Sequence, residues 1–94
     1  MAEGRSNGRL SVGDAIRQAR SLVEELAGKQ PESVSGASSS EDGGWTVAVD
    51  VVELSRVPPS TDLLATYEVS LDASGELVDM VRARRYVRGQ ADED

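Results

Sequence analysis

Two runs of alternating apolar and polar residues constrain this chain more than any other feature. They extend from Trp45 to about Leu54 and from Leu63 to Leu71. The apolar side chains occupy the odd positions, which are Trp45, Val47, Val49 and Val51 in the first run and Leu63, Ala65, Tyr67, Val69 and Leu71 in the second. Successive side chains of a β-strand point to opposite faces, so each run predicts a strand with one face turned to a core.

A hairpin and a third strand are predicted after the second run. In the sequence Asp72-Ala73-Ser74-Gly75, the glycine supplies the positive φ of a three-residue loop that ends in a bulge. The third strand then ends near Arg88. The loop predicts a register that pairs Leu71 with Leu77, Tyr67 with Val81, and Ala65 with Ala83.

An amphipathic helix is predicted from Ser11 to Ala27. Ser11 and Asp14 have the spacing of a capping box, in which the serine hydroxyl accepts a hydrogen bond from a free amide at the start of the helix. Gly28 and Pro31 favour termination after Ala27. Apolar residues recur at steps of three and four and predict one buried stripe, formed by Val12, Ala15, Ile16, Ala19, Leu22, Val23 and Leu26.

The two connecting segments differ in composition. The segment from Gly28 to Gly44 is rich in serine and glycine, which predicts a flexible linker that lets the helix cover its own sheet or a neighbour's. The segment from Arg56 to Asp62 contains Pro58 and Pro59, which cannot donate to a sheet ladder. It predicts a stiff connection.

The predicted fold class is therefore α+β. It comprises a leader (1–10) that we expect to be disordered, the helix (11–27), the linker (28–44), a three-stranded antiparallel meander (45–88) with the helix on its odd-position face, and an acidic tail (89–94). About 60 of the 94 residues are expected to fold, without cysteines to cross-link them. We expect modest stability for the isolated chain.

Composition argues against most catalytic chemistry. The chain has no cysteine and no histidine, which removes thiolate chemistry, the commonest general base and the usual zinc ligands. The carboxylates of Glu68, Asp72, Glu76 and Asp79 lack the spacing of a calcium loop, and alternation sends neighbours to opposite faces. No phosphate-binding loop, secretory signal or long apolar run occurs. We predict no catalytic residue, metal or cofactor, and no membrane segment.

The even positions of the predicted sheet form a mixed face that one helix cannot cover. Four arginines crowd the last strand, at Arg82, Arg84, Arg85 and Arg88, although the net charge is −7. They are interpreted as ion-pair partners of Glu68, Asp50 or the tail, or as contacts to a protein partner. Together with Tyr86 they also permit binding of RNA or DNA, against which the negative chain argues, and they permit binding of a small anion. A homodimer through the sheet edge or the mixed face is a further alternative.

Four stretches in this order resemble the gas vesicle accessory protein family GvpO. They are WTVAVDVVELSRVP (45–58), DLLATYEVSLD (62–72), GEL (75–77) and RARRYVRG (82–89). The resemblance implies a cytoplasmic, vesicle-associated protein without catalytic residues, which assists assembly of the gas-filled shell or forms a minor part of it. It also implies association with other gas vesicle proteins, including the AAA-type ATPase GvpN. The matching positions chosen as contact candidates are Glu53, Arg56, Pro58, Tyr67, Glu68, Arg82, Arg85 and Tyr86, to which the cluster adds Arg84 and Arg88.

Overall fold

A computed structural model describes residues 10–89 as one helix packed on a four-stranded sheet. The elements are α1 (Val12–Leu22), which continues as a π-helical turn (Val23–Ala27), then β1 (Gln30–Ser39), β2 (Trp45–Leu54), a 3-10 turn (Pro59–Thr61), β3 (Leu63–Leu71) and β4 (Leu77–Val87). All neighbouring strands are antiparallel, in the order β1-β2-β3-β4. The α+β class is confirmed. The predicted leader, apart from Leu10, and the tail beyond Gly89 lie outside the described residues.

The prediction of three strands is wrong, because the serine-rich segment placed in the linker forms β1. This strand pairs with β2 from Ser39 opposite Trp45 to Gln30 opposite Val52. The Ser40 amide donates to the Gly44 carbonyl at 2.9 Å and closes the hairpin. The serine-rich composition gives no sign of this strand, because β1 is held by its backbone hydrogen bonds to β2 and by contacts with neighbouring elements. It has no apolar pattern of its own. As a result β2 is a central strand.

The capped start of the helix is confirmed, and its end contains one difference. Ser11 Oγ accepts from the Asp14 amide at 3.1 Å, and Gly28 ends the helix with a φ of 69°. The last turn is π-helical, however, so its wider i→i+5 spacing moves Leu26 off the predicted stripe. The Leu26 side chain is 59% exposed instead of buried.

The core lies between α1 and the odd-position face of β2 and β3, which we call the helix face. Its buried members are Ala15, Ala19, Val23, Val47, Val49, Val51, Ala65, Val69 and Leu71. Two hydrogen bonds hold the N-terminal part of the helix, from Trp45 Nε1 to the Leu10 carbonyl at 3.0 Å and from Gln18 Nε2 to the Gly75 carbonyl at 2.9 Å. The helix therefore covers its own sheet.

The register of β4 begins as predicted and then departs from the prediction. Leu77 lies opposite Leu71, but Tyr67 faces Arg82 instead of Val81, and Ala65 faces Arg85 instead of Ala83. Each β-bulge inserts one residue without a partner, and β4 contains two, at Val78 and Ala83. These insertions bring Met80 and Arg82 to the helix face. Val81 moves to the opposite face, which we call the distal face.

Candidate protein-binding surface

Strand β4 lies at one edge of the sheet and carries most of the candidate contact residues. It pairs with β3 on one side, and no strand within residues 10–89 pairs with its other side. The helix packs chiefly on β2, with β1 and β3 beside it. Several apolar side chains of β4 are consequently exposed, including Val78 (65%) and Val81 (49%).

Glu53 joins two of the arginines on the helix face. It occupies a bulge of β2, between the paired residues Val52 and Leu54, and a bulge redirects a side chain. Arg82 Nη1 donates to Glu53 Oε2 at 3.1 Å, and Arg85 Nε lies 3.4 Å from Glu53 Oε1. The carboxylate is 12% exposed, whereas the arginine side chains are 45% and 51% exposed. Two guanidinium groups share one carboxylate, so this cluster keeps one net positive charge toward solvent.

The distal face carries a second polar group, centred on Asp50. This buried carboxylate accepts from Thr66 Oγ1 at 2.6 Å and from Ser33 Oγ at 3.3 Å. Tyr86 lies nearby, and the Arg84 guanidinium stacks 4.5 Å from the centre of its ring. Burial and the negative charge of Asp50 raise the pKa of Tyr86, whereas Arg84 and the hydrogen bond to Thr66 oppose the rise.

Arg88 belongs to a separate ion network at the end of the sheet, with partners other than Glu53. It donates to both carboxylate oxygens of Glu32 at 2.7 and 2.8 Å, and to Asp62 Oδ2 at 3.2 Å. The Arg88 hydrogen bonds lower the pKa of Glu32. The pKa of Asp62 is lowered first by the Arg56 amide, which donates to Oδ1 at 2.8 Å, and then by Arg88. The network links the residue after β4 to β1 and to the residue before β3.

The ten predicted contact residues do not form one site. Glu53, Arg82 and Arg85 meet on the helix face, while Arg84 and Tyr86 lie with exposed Glu68 on the distal face. Tyr67 is half-buried against the core, and Arg88 is engaged in its ion network. Arg56 and Pro58 are exposed in the connection before β3, where the Val57-Pro58 peptide is cis.

Several residues of these networks were not predicted. Asp50, the one charged residue within the run VAVDVV, was named only as an ion-pair partner of the arginines, and its hydrogen bonds with Thr66 and Ser33 were not predicted. Ser33 and Glu32 had no signal in the sequence, because their roles depend on β1, which composition did not predict. Asp72 lies in the predicted hairpin turn, where its Oδ1 accepts from the Ser74 and Glu76 amides at 2.9 and 3.0 Å.

The part of the chain described here contains no group of three or more acidic side chains placed to hold a metal ion. It also contains no helix that is long and apolar enough to cross a membrane. What distinguishes the surface is the edge strand β4, with exposed apolar side chains and arginines. The class defined by these features is a small α+β domain with one helix-covered sheet face and an exposed, charged sheet edge.

The family follows from comparison with known proteins. A family model described as gas vesicle synthesis protein GvpO matches residues 1–92, which is nearly the whole chain. The chain belongs to the GvpO family. No solved structure matches it significantly.

Named relatives agree with this assignment. Gas vesicle protein O of Streptomyces sp. (strain CB03234) is 52% identical over 77 residues, which cover 82% of this chain and 59% of the relative. Gas vesicle protein O of Haloferax mediterranei is 31% identical over 85 residues, covering 90% and 61% of the two chains. Gas vesicle protein O1 of Halobacterium salinarum is 32% identical over 84 residues, covering 89% and 70%. The chain thus spans about three fifths of the length of the first two relatives.

Proposed function

We propose that this protein is a non-enzymatic accessory factor for gas vesicle assembly, or a minor vesicle component, which acts in the cytoplasm through protein-protein contacts. Membership of a family of gas vesicle synthesis proteins supports the biological process. The observation that supports the mode of action is the exposed edge strand β4. Its arginines and exposed valines form a surface that the helix leaves open.

Arg82 and Arg85 are the proposed centre of contact. Planar guanidinium groups bind carboxylates through paired hydrogen bonds, and arginine is enriched in protein interfaces. Val78, and Val81 on the distal face, add exposed apolar area on the same strand. The other candidates have weaker support, since Tyr67 contributes to the core and Arg88 to an internal network. The proposed partners are other gas vesicle proteins, among which the AAA-type ATPase GvpN is the first to test.

The experiment is complementation of a deletion strain with variants of Val81. Val81→Glu adds a negative charge to β4 without removing either partner of Glu53, and Val81→Lys adds a positive charge at the same exposed position. We expect the glutamate variant to reduce vesicle formation and recovery of tagged GvpN, and the lysine variant to preserve both. Normal vesicles in the deletion strain would reject the proposed function.

Regulatory binding of RNA or DNA is the second candidate, supported by the stacked pair of Arg84 and Tyr86. The net charge of −7 opposes it. If it is correct, a labelled RNA or DNA oligomer should shift in a gel at low salt, and the shift should weaken steeply as salt is added. Absence of a shift at low salt would exclude this candidate.

A further inference from the structure

We infer that the free edge of β4 accepts an acidic, extended segment of a partner protein as a fifth strand of the sheet. The inference rests on the proposed function, because it assumes that the protein acts through protein contacts, and it specifies the chemistry of the partner. Recognition of this kind combines main-chain hydrogen bonds with side-chain contacts at alternate positions.

The backbone of β4 defines where such a segment pairs. An edge strand presents N–H and C=O groups that its own sheet does not use. The bulges at Val78 and Ala83 divide β4 into two regular stretches, Asp79 to Arg82 and Arg84 to Val87. Each stretch contains four residues, so a short added strand can pair with one stretch without meeting a bulge.

The side chains of β4 favour acidic residues in the added strand. Alternate residues of a strand point to opposite faces, so an added strand presents side chains to both faces. Paired with the stretch from Arg84 to Val87, it meets Arg85 on the helix face. Arg82 lies beside this stretch across the bulge, and the cluster of both arginines with Glu53 retains one net positive charge. On the distal face it meets Arg84, stacked on Tyr86. Opposite charges across neighbouring strands stabilise their pairing.

The other edge of the sheet provides an internal contrast. Strand β1 contains no arginine or lysine, and its one charged residue is Glu32. Most of its side chains are small, and Pro31 removes one backbone donor. An acidic strand added at β1 would therefore gain no ion pair with the side chains of β1. The chemistry assigns the acidic segment to β4 alone.

Charged residues on an edge strand can also serve to prevent aggregation, because they hinder edge-to-edge pairing between copies of a protein. The two roles predict different results for Arg85→Gln. If Arg85 binds an acidic segment, the substitution weakens binding of that segment. If it only prevents self-pairing, the substitution promotes self-association and leaves binding of an acidic segment unaffected.

The test is an NMR titration of the full chain with a synthetic peptide of alternating glutamate and threonine, blocked at both ends. We expect chemical-shift changes and slower amide exchange in β4 and not in β1. Val81→Glu should weaken binding at least about fivefold, since a charge at the rim opposes the peptide, whereas Val81→Lys should not weaken it. Arg85→Gln should weaken binding by about the same factor. The control Arg17→Gln removes an equal charge from the helix and should change nothing.

Four results would overturn the inference. The first is equal binding of a peptide with prolines in place of its threonines, which lacks every second backbone donor. The second is equal binding of a peptide with lysine in place of glutamate. The third is stronger binding of a uridine oligomer to the same residues, which would favour nucleic acid. The fourth is dimerisation through β4 that excludes the peptide, which would favour a second copy of this chain.

Failure of this inference can be separated from failure of the proposed function. If the acidic peptide does not bind, but the gene restores vesicles in the deletion strain, only the inference fails. If deletion leaves vesicle formation normal, the proposed function fails regardless of what the peptide does.

Discussion

The two edge strands of the sheet, β1 and β4, each have one side that no described strand pairs with, but they differ in their side chains. Strand β1 is built mainly from serine, glycine and alanine, and three of its side chains contact the rest of the fold: Ser33 bonds to Asp50, Glu32 to Arg88, and Val34 packs against the core. Strand β4 has larger side chains, most of which point to solvent. Both strands contain bulges, which discourage uncontrolled edge pairing.

This difference suggests that β1 serves the stability of the fold, whereas β4 serves the binding of a partner. Three side chains of β1 contact the rest of the fold, and most of the others are small, so they offer little chemistry to a partner although they are exposed. The side chains of β4 contribute little to the core, apart from Met80, and they combine charge with exposed apolar area. Substitutions in β1 and its neighbours should therefore alter the stability of the fold, while substitutions in β4 should alter binding.

The largest expected effect concerns two glycines at the β1 hairpin. A Cβ at Gly44 would collide with the Leu71 carbonyl oxygen, whereas a Cβ at Gly36 would meet nothing within 4 Å. Gly44→Ala should lower the free energy of unfolding by about 3 kcal/mol, because the backbone must shift. Gly36→Ala should raise it by about 0.5 kcal/mol. Urea unfolding measures both, and equal effects would contradict the packing described for this hairpin.

The next prediction compares the stability contributed by the two hydroxyl groups that donate to Asp50, those of Thr66 and Ser33. Thr66→Val keeps the shape of the side chain but removes the 2.6 Å bond to a buried carboxylate, so we expect a loss of about 2 kcal/mol. Ser33→Ala removes a 3.3 Å bond on β1 and should cost less than about 1 kcal/mol. The measurement is chemical denaturation of both variants. A larger effect at Ser33 would mean that β1 is held more tightly than this geometry indicates.

Truncating one valine in each edge strand compares how much β1 and β4 contribute to stability. Val34 of β1 packs against the core, while Val81 of β4 is 49% exposed. Val34→Ala should lower the free energy of unfolding by about 1 kcal/mol, and Val81→Ala should change it by less than about 0.5 kcal/mol. Thermal unfolding checks this pair. A greater loss at Val81 would show that β4 contributes to the core and would weaken its assignment as a free surface.

The smallest effect is a pH dependence of the β1 edge. The pKa of Glu32 is lowered below its ordinary value of 4.5 by hydrogen bonds from Arg88. A lowered folded-state pKa contributes stability that is present above the unfolded-state value and is lost as pH falls through the folded-state value. Unfolding free energy should therefore fall below about pH 5 by less in Glu32→Gln than in the unsubstituted chain. The control Glu25→Gln, exposed on the helix, should retain the full dependence.

The sequence alone predicted the elements that carry an apolar period. The helix from Ser11, its end at Gly28, both alternating strands and the Asp72 to Gly75 hairpin are present in the structure. Each depends on residues close together in the chain, where capping, alternation and turn chemistry act. The position of the core on the odd-position face follows from the same pattern.

Only the tertiary structure decided the fourth strand, the faces of β4 and the arrangement of the charged residues. Strand β1 has almost no apolar pattern, so its backbone bonds to β2, with Val34 against the core, make it a strand. The bulges of β4 have no local signal, yet they move Arg82 to the face where it meets Glu53. Contacts between Arg88 and Glu32 join residues that are 56 positions apart. Such contacts exist only after the sheet has formed, because folding brings distant charges within hydrogen-bonding distance.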